Sequence, residues 1–278
     1  MIKPYLKWAG GKRQLLQTIK TFLPSCIEDY VYYEPFVGAG AVLFELQPKK
    51  AIINDFNSQL IFTYNAIKNN VEELISLLHI HQKNNNHEYY YNIRAQDRDT
   101  KYFKSLTDTE KAARLIYMNK TCYNGLYRVN SQGLFNVPYG TYKNPNICEE
   151  NVLRSIHNFL KNNEIEILNG DFAVATKSAN SSSFVYFDPP YHSANNSNFT
   201  GYQADGFGES EQVRLRDNYL ELTDRGVKCL LSNSDTDFIR EIYSNKRFDI
   251  FTIQAKRLIN SNSSKRGEVN EVLIRNWR

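Results

Sequence analysis

Hydrophobic positions along the chain follow two different rules. Toward both ends they form short continuous runs of β-formers that stop at glycine, proline or an acid. The runs are VYYEPFVGAG at 31–40, AIIND at 51–55, IEILNGDF at 165–172, SFVYFDPPY at 183–191, GVKCLLSNS at 226–234, FDIFTIQA at 248–255 and NEVLIRNW at 270–277. Runs of this kind predict strands of a sheet covered on both faces. Between about residues 60 and 115 the spacing turns helical, in LIFTYNAIKNNVEELISLLHIHQ and EYYYNIRAQDRD. Thr107 and Glu110 stand as a capping box at the head of TDTEKAARLIYMNK. Residues 122–145 are aromatic and turn-rich, and the pairs Asn124-Gly125 and Gln132-Gly133 predict a projecting β-hairpin over 121–145. The expected architecture is α/β. The sheet is built from residues 1–60 and 163–278, and a helical and hairpin domain is inserted at 61–162.

The strand that ends in Asp188-Pro189-Pro190-Tyr191 is the most informative. Two prolines remove two backbone donors and fix two φ angles, so the ladder stops in a rigid corner. A carboxylate and an aromatic ring on such a corner sit where open α/β sheets bind ligands. One chemistry suits this set closely. The exocyclic amine of adenine is a poor nucleophile because its lone pair is conjugated into the ring. Asp188 accepting one amine N–H, with the Pro189 carbonyl accepting the other, favours a pyramidal nitrogen, and the carboxylate stabilises the positive charge that builds there. Tyr191 offers a stacking face for a base taken out of its helix. A methyl sulfonium donor brings its own neutral leaving group, so no metal is required. The plainer alternative, a strand-ending turn whose acid caps a neighbour, leaves the tyrosine unexplained.

Phe36-Val37-Gly38-Ala39-Gly40 gives a strand, a tight glycine turn and then a helix-compatible stretch, with Asp55 closing the next strand about 17 positions after Gly38. That suits a nucleotide whose ribose hydroxyls meet a carboxylate. Leu43 stands where the third glycine of the dinucleotide fingerprint belongs, so a nicotinamide or flavin site is disfavoured. Gly10-Gly11-Lys12-Arg13 fails as a phosphate loop, because Leu6 replaces its first glycine and Arg13 its magnesium-holding hydroxyl. Taken alone, the glycines could equally be a turn beside a solvated acid.

Composition narrows the setting. The chain has 278 residues, 41% hydrophobic and 23% charged, as in soluble globular proteins. No run approaches the roughly 18 apolar residues of a membrane span. The first residues lack a signal-peptide core, so a cytoplasmic protein is expected. Cys26, Cys122, Cys148 and Cys229 have no CxxC spacing, which argues against zinc and against a disulfide framework. A net charge of +4 favours polyanions weakly. The aromatic fraction of 13%, with 19 tyrosines, says more, since such rings build stacking platforms for bases. His79, His81 and His87 suggest a metal, but residues two apart on a helix do not face each other. The charges at 72–74 and 96–99 read as exposed helix surface, and Lys265 and Arg266 as candidate phosphate contacts.

Taken together, LKWAGGK at 6–12, EPFVGAG at 34–40, INDFN at 53–57, YNGLYRVNSQGLFNVPYGTYKNP at 123–145, GDF at 170–172, DPPY at 188–191 and LLSNSD at 230–235 resemble the Dam-type DNA adenine-N6 methyltransferases. They match the group in which the cofactor motif precedes the recognition region. The resemblance implies a Rossmann-like methyltransferase sheet with an inserted DNA-recognition domain. It also implies transfer from S-adenosylmethionine, leaving S-adenosylhomocysteine, to the N6 amine of a flipped adenine in double-stranded DNA, within a GATC-like site. Asp188, Pro189, Pro190 and Tyr191 would form the catalytic corner. Trp8, Lys12, Phe36, Gly38, Gly40, Asp55, Asp171, Phe172 and Asp188 would hold the cofactor, with Lys12 near its carboxylate. Lys7, Tyr123, Asn124, Leu126, Arg128, Pro138 and Tyr142 would read or prise open the site, Arg128 by a bidentate contact to guanine and Leu126 and Pro138 as wedges. Many relatives carry Arg where Thr141 stands, which removes one phosphate contact. The chain is expected to be a monomer that forms no stable complex with any cognate restriction endonuclease. A cytosine-N4 or RNA adenine methyltransferase, or a DNA-binding regulator without catalysis, shares parts of the pattern.

Overall fold

The computed structural model describes residues 2–8, 10–193, 207–256 and 268–278. Its strands are β1 (Val31–Glu34), β2 (Lys50–Asp55), β3 (Glu164–Asn169), β4 (Ser183–Phe187), β5 (Lys228–Ser234), β6 (Asp249–Lys256) and β7 (Glu268–Arg275). The α-helices in chain order are α1 (Leu16–Thr21), α2 (Ala41–Leu46), α3 (Ser58–Asn69), α4 (Val71–Asn84), α5 (His87–Ala95), α6 (Thr100–Ser105), α7 (Asp108–Thr121), α8 (Glu150–Asn162), α9 (Phe172–Ala175), α10 (Glu209–Asp224) and α11 (Asp237–Ile242). Among the described residues no helix is long and apolar enough to cross a membrane.

The strands form one sheet in the order β3-β2-β1-β4-β5-β7-β6. All neighbours are parallel except β7, which runs antiparallel to both β5 and β6. Every residue of β4 is buried, as its unbroken apolar run predicts. Side chains of a strand alternate between faces, and the core divides accordingly. Tyr32, Phe184, Tyr186, Leu230 and Leu273 belong to the cluster that includes α3, α4, α7 and α8. Tyr33, Val185, Phe187, Leu231 and Ile274 belong to the cluster with α10 and α11.

The local signals are realised where the sequence places them. Thr107 and Glu110 form the reciprocal capping box of α7. Asn57, Asn86, Asp99, Asp171 and Thr236 accept backbone N–H groups at the starts of α3, α5, α6, α9 and α11. The helical segment between β2 and β3 shares one core with the sheet, since α3 contacts β2 and β3 and α8 contacts both α3 and β3. Residue 61 lies inside α3.

The expected hairpin over 121–145 is not a ladder. Only two isolated antiparallel bridges form, Cys122 with Tyr139 and Val129 with Phe135. The tip is a turn in which Gly133 N–H reaches Asn130 O at 2.9 Å, so Gln132-Gly133 turns the chain as predicted. Asn124-Gly125 instead lies in a 3₁₀ turn (Tyr123–Gly125) at the base of the loop. Both residues have positive φ, +55° and +64°, as a tight hairpin turn requires. They do not pair the segments on either side of them, however: Cys122 bridges Tyr139 instead, and Gly125 itself packs against Lys7.

Candidate functional site at the carboxyl ends of β1, β2 and β4

The chain crosses from one half of the sheet to the other between β3 and β4, so the strand order reverses at the neighbours β1 and β4. Ligands of open α/β sheets bind in the crevice at such a point. The glycine loop leaves β1 there and the Asp188 corner leaves β4. Gly38 and Gly40 hold φ of +52° and +76°. A Cβ on Gly40 would lie 2.6 Å from the Tyr64 hydroxyl and 2.7 Å from Phe44, so the loop can sit on α2 and α3 only without a side chain there. The Tyr64 hydroxyl in turn donates to the Gly38 carbonyl at 3.0 Å.

Asp55 closes β2 beside this loop. Its carboxylate accepts N–H groups from Gly38 at 3.0 Å and Asn57 at 2.9 Å. Burial pushes its pKa up to about 6, and the two N–H groups oppose that rise. Asp55 thus fixes the glycine loop and the start of α3.

At the corner, Asp188 Oδ1 lies 2.7 Å from Lys12 Nζ and accepts the Ser232 hydroxyl at 3.1 Å. No hydrogen bond from a described residue reaches Oδ2. Burial raises the pKa of Asp188, while the Lys12 ammonium and the Ser232 hydroxyl favour the ionised form. The resemblance put Lys12 near the carboxylate of a cofactor. In the structure it is buried at the corner itself, donating to the Gly10 carbonyl at 2.8 Å and standing 4.6 Å from the centre of the Tyr191 ring. The Tyr191 hydroxyl donates to Glu271 on β7 at 2.8 Å.

Two residues that the sequence reading missed brace the corner from behind. Buried Gln212 donates to the Pro190 carbonyl at 2.8 Å and accepts from Asn233 at 2.9 Å. Asn233 also accepts the His192 N–H at 3.1 Å. LLSNS shows only a strand ending in polar residues, and Gln212 has no local signature at all.

Beside the glycine loop a cleft of about 370 Å³ is lined by Phe36, Phe56, Asp171, Phe172, Phe207 and Arg214, among others. Phe36 packs 5.4 Å from Phe172 and 5.7 Å from Phe207, ring centre to ring centre. Phe56, also missed, is 59% exposed at the cleft rim directly after Asp55. Arg214 grips Asp171 with two hydrogen bonds of 3.0 and 2.6 Å, holds its carboxyl below the usual range, and lies over the Phe172 ring at 4.2 Å. Aromatic walls, a carboxylate at one edge and glycine backbone at the other fit an adenosyl group.

The DNA-reading candidates gather on another surface. Tyr123, Asn124, Arg128 and Pro138 are exposed, and Leu126 and Tyr142 half-buried. Lys7 Nζ lies 3.3 Å from the Tyr142 hydroxyl and 4.6 Å from the centre of its ring. Arg128 Nε donates to Asn136 Oδ1 at 2.8 Å, and the Pro138 carbonyl accepts the Tyr123 N–H at 2.9 Å. Trp8 joins the two regions. Its ring lies 5.1 Å from that of Tyr127, and its Cδ1 would be 3.2 Å from a Cβ on Gly38. Lys265 and Arg266 lie outside the described residues.

His79 does not meet His81 or His87. It meets Glu150 at 2.8 Å and Cys148 at 4.0 Å across α4 and α8. Arg154, 2.7 Å from the second Glu150 oxygen, sets a fixed positive charge against any cation there. His81 stacks on Tyr117 at 4.9 Å, and burial pushes its pKa down to about 4. The unfolded chain therefore binds a proton that the folded one does not between roughly pH 6.5 and 4. Stability is expected to be lost as pH is lowered from about 6.5 to about 4, and His81→Phe to flatten that loss. Thermal melts at a series of pH values check this.

Comparison with known proteins is consistent with this geometry. The sequence pattern of the D12 class N6 adenine-specific DNA methyltransferases matches residues 8–259. The chain is 47% identical to the Type II methyltransferase M1.LlaDCHI of Lactococcus lactis subsp. cremoris, over 99% of this chain and 96% of that protein. It is 43% identical to the Type II methyltransferase M.MjaIII of Methanocaldococcus jannaschii, over 99% of each. With the DNA adenine methylase of Escherichia coli K12 it shares 34% identity over 98% of this chain and 94% of the other.

Proposed function

Because the chain belongs to the D12 class of N6 adenine-specific DNA methyltransferases, we propose that it takes its methyl group from S-adenosylmethionine and delivers it to an adenine extruded from double-stranded DNA, within GATC. The observation that carries the catalytic part is the division of labour on Asp188. Oδ1 is engaged by Lys12 and Ser232, which leaves Oδ2 to accept an amine N–H. The Pro189 carbonyl takes the second N–H, so the nitrogen lone pair is turned away from the ring. Asp188 then faces the charge that develops on nitrogen, in a buried setting where such stabilisation is strong, with Lys12 favouring its ionised form against burial. Tyr191, tethered through its hydroxyl to Glu271, gives the extruded base a fixed face. The sulfonium supplies an activated methyl group and a neutral leaving group.

Phe36, Phe56, Phe172 and Asp171 hold the adenosyl end in this reading, Asp55 the ribose, and the glycine loop the chain between them. The GATC assignment is supported by the match of residues 123–145, with Lys7, to the reading segment of the Dam-type pattern.

Asp55 gives a test of the cofactor half. Asp55→Ala is expected to weaken S-adenosylmethionine binding about 10-fold or more, the usual scale for hydrogen bonds to a charged group. DNA affinity without cofactor should change little. The folded pKa near 6 lies above the ordinary Asp value near 3.9, so the ionised acceptor is lost as pH falls through about 6. Cofactor affinity should fall over the same interval and do so less steeply in Asp55→Asn. Calorimetric titration across roughly pH 5–8 checks both. An unchanged affinity in Asp55→Ala would remove the residue from the cofactor site.

A further inference from the structure

Asn119, in the last turn of α7, is 1% exposed, and its side-chain amide bonds both to Lys7, far away in sequence, and to Gly125, six residues on. Its Oδ1 accepts the Lys7 N–H at 2.9 Å, and its Nδ2 donates to the Lys7 carbonyl at 2.8 Å and to the Gly125 carbonyl at 2.9 Å. Lys7 opens the short segment whose far end, Lys12, lies 2.7 Å from Asp188. Gly125 opens the loop that carries Leu126 and Arg128. The two stretches also touch directly. A Cβ on Gly125 would lie 2.4 Å from Lys7 Cδ, so the loop reaches Lys7 only through a glycine, at φ +64°. Trp8 against Tyr127 adds a second contact, one residue beyond Lys7 and two beyond Gly125.

We propose that Asn119 is a positioning residue that fixes the DNA-reading loop to the segment carrying Lys12, so that a mismatch felt by the loop lowers the rate of methyl transfer as well as the affinity for DNA. The inference rests on the reading role proposed above for that loop. A buried primary amide with all three bonds made is a stiff connector, because leaving any of its partners unpaired costs a desolvated polar group. Displacement of Leu126 or Arg128 on a wrong sequence therefore draws on Lys7, and through five residues of chain on the Lys12–Asp188 pair. Neither Lys12 nor Asp188 has to meet the bases that the loop reads for this to happen.

Two variants test it. Asn119→Asp keeps size and the acceptor for the Lys7 N–H but removes both donated bonds. Gly125→Ala pushes on Lys7 from the loop side and serves if the first variant fails to fold by circular dichroism. Single-turnover rates and DNA dissociation constants are measured on a GATC duplex and on duplexes altered at one base pair, with S-adenosylmethionine affinity as a control. The expected result is a drop in rate on GATC of roughly 3- to 30-fold, the scale of residues that couple sites. Rates on altered duplexes should drop much less, DNA affinity should be nearly constant, and cofactor affinity unchanged. A uniform drop on every duplex, with discrimination intact, would make Asn119 merely structural and overturn the inference. The unaltered protein and Arg128→Ala run in parallel. If the unaltered protein does not discriminate, the GATC reading fails and this inference with it. If it discriminates and Arg128→Ala loses that discrimination while both variants here retain it, this inference alone fails.

Discussion

Asp188→Ala is expected to leave a folded protein that transfers methyl groups at least about 100-fold more slowly, because removing one preorganised stabiliser of transition-state charge typically costs that much. Two further effects push in the same direction. The acceptor that pyramidalises the amine disappears, and buried Lys12 is left facing the incoming amine without its partner. An unpaired buried charge costs stability as well, so Asp188→Asn is the better-controlled variant. It keeps the shape and an oxygen for Ser232 while removing the negative charge. Single-turnover rates at saturating DNA and cofactor, alongside melting temperatures, separate catalysis from folding. Near-normal turnover in folded Asp188→Asn would contradict the electrostatic role.

The second large effect falls on specificity. Arg128 is exposed, its Nε is held by the Asn136 side chain at 2.8 Å and its Nη2 lies 3.4 Å from the Asn136 carbonyl, which orients the guanidinium and leaves Nη1 and the second Nη2 hydrogen for a base edge. A bidentate contact to guanine discriminates by about 1–3 kcal/mol. Arg128→Ala should therefore reduce the preference for GATC over the duplex altered at that guanine by roughly 5- to 150-fold. Lys143 is exposed next to Tyr142 on the same loop, a cation suited to phosphate, and Lys143→Ala should instead weaken all sequences alike and flatten the dependence on salt. The readout is methylation rate on duplexes altered at one base pair, compared at two salt concentrations. An equal loss on every duplex in Arg128→Ala would leave the loop as a positioning element, with discrimination drawn from Lys7, Leu126, Tyr142 or DNA deformability.

What could be read from the sequence is what chemistry writes locally. Phe184 to Phe187 is buried on both sheet faces and reads as an unbroken apolar run. The Asp188 corner is visible because prolines cannot continue a ladder, and the α7 cap because Thr107 and Glu110 satisfy each other across three residues. Asn124-Gly125 shows the limit. The dipeptide does adopt the positive φ values that a tight turn needs, but Cys122 before it pairs with Tyr139 rather than with the residues just after the turn, and Gly125 meets Lys7, more than a hundred residues earlier. The same limit hid the bracing of the site. Gln212, Asn233, Arg214 and Asn119 are polar residues in apolar or charged company, and nothing in their own neighbourhoods says which distant carbonyl or carboxylate they will meet. Lys12 and Asp188 were each legible, but their pairing was not, since it arises only when the N-terminal segment folds over the ends of β1 and β4. The antiparallel β7 between β5 and β6 is a further case, set by tertiary packing alone.

The proposed reaction is methylation of the N6 amine of adenine within GATC, using S-adenosylmethionine. The most direct measurement incubates the purified protein with S-adenosylmethionine carrying a labelled methyl group and two duplexes identical except for one GATC, then digests each to nucleosides and separates the labelled products. The expected result is label in N6-methyladenine from the GATC duplex and little or none from its partner. Label in N4-methylcytosine, equal label in adenines of both duplexes, or label only when RNA replaces DNA would contradict it.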